Sequence, residues 1–86
     1  MNKLYINIGK LIREKREQKE LTQLQLAKML GYETSQFVSL FERGLSKVPN
    51  DVLAKLIHLI GIDRHYIYKM MIEDYSQRIK KELGVK

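Results

Sequence analysis

Between Leu21 and Gly44 the chain reads "LTQLQLAKMLGYETSQFVSLFERG". Two short helical stretches stand there around a tight turn, and no other segment restricts the fold so much. The first runs from Gln23 to Leu30, with Leu26, Ala27 and Leu30 on one face. Thr22 precedes it as an N-cap that can accept from the free N–H groups of the next turn. Gly31 follows as its stop. The second begins near Thr34 or Ser35, either of which can cap, and ends at Gly44. Phe37, Val38 and Phe41 form its inward stripe, while Gln36, Ser39, Leu40 and Arg43 take the other side.

The flanking sequence is helical as well. A first helix runs from about Leu4 to Lys19, because Leu4, Ile8, Leu11 and Ile12 recur at helical spacing. The rest of its surface is charged, as on a solvated face, and helices two to four need it as a lid. A fourth helix runs from about Asn50 or Asp51 to Ile60, with Val52, Leu53, Leu56, Ile57 and Ile60 in a wide apolar stripe and Gly61 as stop. Asp63 can cap a fifth, which nothing breaks until Gly84. That helix is about 20 residues and ~30 Å long. Tyr66, Ile67, Met70 and Met71 lie in its first half; Ile72, Tyr75, Ile79 and Leu83 continue through its second. No alternating strand pattern occurs, so the expected fold class is all-α, with five helices.

Composition sets the outer bounds. The chain has 86 residues, 44% hydrophobic and 30% charged, enough for one domain with one modest core. A net charge of +6 favours an anionic partner. The absence of cysteine excludes a disulfide framework, a thiolate metal site and a thiolate nucleophile. Lys10 and Arg13 interrupt any signal-like run, and no apolar run approaches the ~20 residues that span a bilayer. A cytoplasmic protein, with no membrane partner, is the expectation.

Two helices around a tight turn in a small basic all-α domain is the layout of a helix-turn-helix unit. "TQLQLAKMLG" followed by "FVSLFERG" also resembles the Cro/cI-type (XRE-like) helix-turn-helix family. The residues that carry the likeness are Thr22, Gln23, Leu26, Ala27, Leu30, Gly31, Glu42, Arg43 and Gly44. It extends from about Ile8 to Asp63, through Arg16 and Pro49. The turn between Gly31 and Glu42 is one residue longer than the commonest form, and the chain looks like a subset with that longer turn. Glu20 stands where the family often has glycine; a positive φ there would cost roughly 1 kcal/mol. The resemblance implies a five-helix, lambda-repressor-like DNA-binding domain over residues 1–62. Residues 63–86 then form a C-terminal helix within the same compact domain.

The resemblance also implies a division of labour among side chains. The recognition helix enters the major groove with its N-terminal end, so Ser35, Gln36, Ser39 and Leu40 are the candidate base contacts. Glutamine can pair bidentately with adenine, and leucine can pack on a thymine methyl; Leu40 could equally be an exposed leucine or touch another part of the protein. Thr22, Gln23, Arg43 and Lys47 are the candidate phosphate contacts, which set affinity and salt dependence. Glu42 is an acid where DNA would sit. The resemblance implies that it pairs with Arg16 inside the domain, the alternative being a free surface glutamate.

Other classes have less support. His58 and His65 have no nucleophile–base or metal-ligand spacing, and there is no glycine-rich phosphate loop. No enzyme activity, metal or cofactor is expected. A membrane-surface role for the basic first helix competes with its use as a lid. An antitoxin-like or adaptor protein that mainly binds another protein is the alternative function. Ile72, Tyr75, Ile79 and Leu83 have coiled-coil-like spacing and would either dimerise or fold back on helix one. The reading is a homodimeric repressor on a palindromic double-stranded operator. With no room for a sensor domain, no small-molecule ligand is expected.

Overall fold

The computed structural model describes residues 2–86. Five α-helices follow one another: α1 (Lys3–Gln18), α2 (Gln23–Met29), α3 (Gln36–Glu42), α4 (Asn50–Ile60) and α5 (Arg64–Leu83). No strand occurs among the described residues. The all-α fold of five helices is the one that the apolar stripes predict.

Local signals set the helix starts. Asn2 accepts from Tyr5 N at the head of α1, and Asp63 accepts from His65 N and Tyr66 N at the head of α5. Thr22 Oγ1 accepts from Gln25 N while Gln25 Oε1 accepts from Thr22 N, a reciprocal capping box that opens α2. α3 is shorter than its sequence pattern. Ser35 makes no capping bond, and Thr34 Oγ1 offers Gln36 N only a long contact of 3.4 Å.

The ends are alike. α1, α2 and α3 each close on a left-handed residue with paired backbone hydrogen bonds back into the last turn. In α2 and α3 that residue is glycine; in α1 it is Glu20, with φ 56°. Leu21 N donates to Arg16 O and Glu20 N to Glu17 O across this corner. The corner therefore has the positive φ that the sequence left conditional.

The core collects Ile8 and Ile12 of α1, Leu26 and Ala27 of α2, Val38 and Phe41 of α3, Leu53 and Leu56 of α4, and Ile67 of α5. α1 packs against α3, α4 and α5, so it is the hub of the molecule. Its closest approach is to α3. A Cβ on Gly9 would run into the carbonyl oxygen of Phe41 and lie 2.8 Å from that of Glu42. At the far end of α3, a Cβ on Gly44 would lie 2.7 Å from Ile6 Cα. Real Cβ atoms do not come this near, so both positions need glycine for space.

α5 is anchored at its start only. Ile67 is its one buried residue, and Met70 and Met71 pack on the edge of the core. Tyr66, in the same half of the helix, is exposed. Beyond Met71 the helix carries no buried residue and gives the molecule its elongated outline of 44 × 23 × 19 Å.

Candidate nucleic-acid interface

α3 presents one face to the core and one to solvent. Val38 is fully buried, Phe41 is 2% exposed, and Glu42 lies beside them. On the outer side Gln36 and Arg43 are exposed, and Ser35, Ser39 and Leu40 are half-buried. The four candidate base-contacting residues thus share one short surface. Arg43 leans along it, with Nε donating to Ser39 O at 3.4 Å.

Phe37 departs from the inward stripe assigned to it. It is 47% exposed. One residue is about 100° around a helix, and Phe37 falls on the border between Phe41 and Leu40. Its ring lies on Tyr32, with centroids 4.9 Å apart and planes 28° from parallel. Tyr32 in turn meets Phe41 at 6.4 Å. These three rings fill the crowded turn between α2 and α3.

Behind the outer face sits a charge cluster. Arg16 Nε donates to Glu42 Oε2 at 2.6 Å and Nη2 to Oε1 at 3.1 Å, a bidentate pair. Nη1 donates to Leu21 O at 2.7 Å, tying the pair to the corner after α1. The side chains of Arg16 and Glu42 are only 11% and 3% exposed. The hydrogen-bonded Glu42 carboxylate raises the pKa of Arg16 above its ordinary value, against the opposing effect of burial. The acid of α3 is thereby held inside by a cation that cannot deprotonate.

Gln23 belongs to the same cluster. Its Nε2 donates to Glu42 Oε1 at 3.0 Å. An amide nitrogen carries two hydrogens, so one N–H is committed to Glu42 and the other remains for an outside acceptor. The Thr22 hydroxyl accepts within its capping box, and Thr22 itself is exposed at the head of α2. Lys47 is exposed in the loop after α3 and borders a depression shared with Tyr5, Met71 and Arg78. It therefore faces the α5 side of the molecule.

Two residues of this arrangement have no counterpart in the sequence reading. Gly9 lets α1 lie against α3; its signal was a lone glycine inside an amphipathic helix, which marks a packing constraint. Gln25 completes the capping box; its signal was the spacing of three from Thr22.

A short helix with an exposed polar face, joined by a tight turn to a capped helix and braced by a third, defines a helix-turn-helix DNA-binding protein. The family comparison gives the same class. A family model described as helix-turn-helix matches residues 12–67, and the chain belongs to this Cro/cI-type family of DNA-binding transcription regulators. No curated protein and no solved structure matches the chain. No helix among the described residues is long and apolar enough to cross a membrane.

Proposed function

We propose that the protein is a sequence-specific regulator that binds a palindromic double-stranded operator as a homodimer and represses transcription by occupying it. The observation that carries this reading is the outer face of α3. It presents Gln36, Ser39, Leu40 and Arg43 together, while its acid is turned inward and neutralised by Arg16. In this reading Ser35, Gln36, Ser39 and Leu40 meet base edges in the major groove. Arg43, Thr22 and the second N–H of Gln23 meet phosphates beside it; Lys47, on the α5 side, lies outside this contact set.

Dimerisation is supported by α5. Ile72, Tyr75 and Leu83 are exposed and Ile79 is half-buried on its outer half. Apolar surface continues from there onto α4 through Tyr68, Ile57 and Ala54, which border a common depression. A second copy covering this stripe doubles the DNA contact area and places two α3 helices on successive half-sites. The test is selection of bound duplexes from a random pool by the full chain. A symmetric site, bound with an affinity that falls steeply with salt, is the expected result; recovery of no preferred duplex would remove the reading.

A further inference from the structure

The exposed side of α3 has two chemically different edges. On a helix of 3.6 residues per turn, Leu40 lies about 40° from Gln36, and Phe37 a further 60° or so beyond Leu40. Gln36, Ser39 and Arg43 make a polar edge; Leu40 and Phe37 make an apolar one. The Phe37 ring is also fixed in place. It stacks on Tyr32, and Tyr32 is half-buried against the buried ring of Phe41. A ring held in this way loses little further freedom on contact, which favours its use in binding. Arg43 is exposed on the outer side of α3, on the polar edge, and the chain as a whole carries a net charge of +6. A net positive chain suits an anionic partner. In the major groove the apolar group that base pairs offer is the 5-methyl of thymine.

We propose that Phe37, with Leu40, reads thymine 5-methyl groups, so that Phe37 is a specificity-determining residue of α3. The proposal rests on the reading of α3 as the groove-entering helix. The half-site then contains thymine at one or two base pairs beside the one that Gln36 contacts, and Tyr32 is the support that aims the ring.

The test uses the full chain and a duplex recovered by selection. Each thymine of a half-site is replaced in turn by deoxyuridine, which removes the methyl group and keeps the base pairing. Binding should weaken about fourfold at one or two positions, as expected for one methyl group no longer buried, and should not change elsewhere. Phe37→Ala should bind the thymine duplex several-fold more weakly and be indifferent to uracil at one of those positions. Phe37→Leu, which keeps an apolar group, should retain part of the discrimination. A tightly bound duplex whose every thymine can lose its methyl group without effect overturns the role of Phe37 and leaves DNA binding intact. A Phe37→Ala variant with unchanged DNA affinity overturns it too. Should no duplex be recovered, the groove reading falls with it. The uracil series on the unsubstituted protein decides the matter even where the alanine variant does not fold.

Discussion

α3 and the outer half of α5 both face solvent, and they are held in opposite ways. α3 has seven residues, too few to be stable alone. It is fixed from behind by Val38 and Phe41 in the core, by the close passage of α1 at Gly9, and by the Arg16–Glu42 pair. The outer half of α5 has no buried residue. Its one ion pair is the local Arg78–Asp74 contact at 3.0 Å, a type worth little at a surface. Yet it carries the larger apolar exposure, with Leu83 at 71%. In the proposed function, the surface that meets DNA must keep a fixed shape and is braced by tertiary contacts, whereas the α5 stripe that meets a second copy needs no such brace. The family match ends at residue 67, close to where this bracing stops.

The strongest way to break the comparison is to remove the brace. Glu42→Ala leaves Arg16 nearly buried without its carboxylate and frees Gln23. Loss of about 3 kcal/mol is expected from breaking one side of a buried pair, a fall in Tm of more than about 10 °C for a domain this small. DNA affinity should fall with it. An unchanged melting temperature would mean that α3 does not depend on the pair. Gly9→Ala attacks the same support from the other helix. Its methyl group would meet backbone carbonyls of Phe41 and Glu42, which cannot swing aside as a side chain can. A loss of about 2 kcal/mol is expected, read by thermal or urea unfolding; a variant as stable as its parent would show that α1 and α3 can separate without cost.

On α5 the opposite result is expected. Ile72→Glu combined with Ile79→Glu changes one exposed and one half-buried position, neither in the core nor packed against it. Stability at low protein concentration should move by less than about 0.5 kcal/mol. Light scattering should report a monomer where the parent is a dimer, and affinity for a two-half-site duplex should drop at least about tenfold. If the double variant remains dimeric, the stripe is not the interface. If it unfolds, the stripe is internal and the contrast with α3 disappears.

The same contrast explains what could be seen in the sequence. Helical periodicity located all five helices, with starts and ends shifted by a residue or two, because each has its own apolar stripe and all but the first end on a glycine. Periodicity gives the centre of a stripe and not its width. Phe37 sits at the edge of one, and whether an edge residue is covered depends on its neighbours, here Tyr32. Gly9 stands out locally only as a lone glycine inside an amphipathic helix; which helix comes near it, and how near, no local pattern records. Arg16 and Glu42 lie 26 positions apart; the family resemblance could name them, but helical spacing within either element could not couple them. For α5 a covered stripe and an uncovered one read identically, so dimerising and folding back stayed open.

The smallest expected effect tests whether the brace is already at its best. Glu20 closes α1 at φ 56°, a conformation in which a side chain costs roughly 1 kcal/mol and glycine almost nothing. Arg16 reaches Leu21 O across this corner while also holding Glu42. The corner and the α3 brace therefore share one side chain. Glu20→Gly keeps the backbone path and removes the strain, although glycine also loses more freedom on folding. A net gain of about 0.5 kcal/mol is expected, a rise in Tm of roughly 2–4 °C, with DNA affinity unchanged because Arg16 and Glu42 stay in place. A gain in stability together with an altered salt slope or site preference would show that the corner sets the position of α3. A loss of stability would mean that the Glu20 side chain contributes more at this corner than its backbone strain takes away.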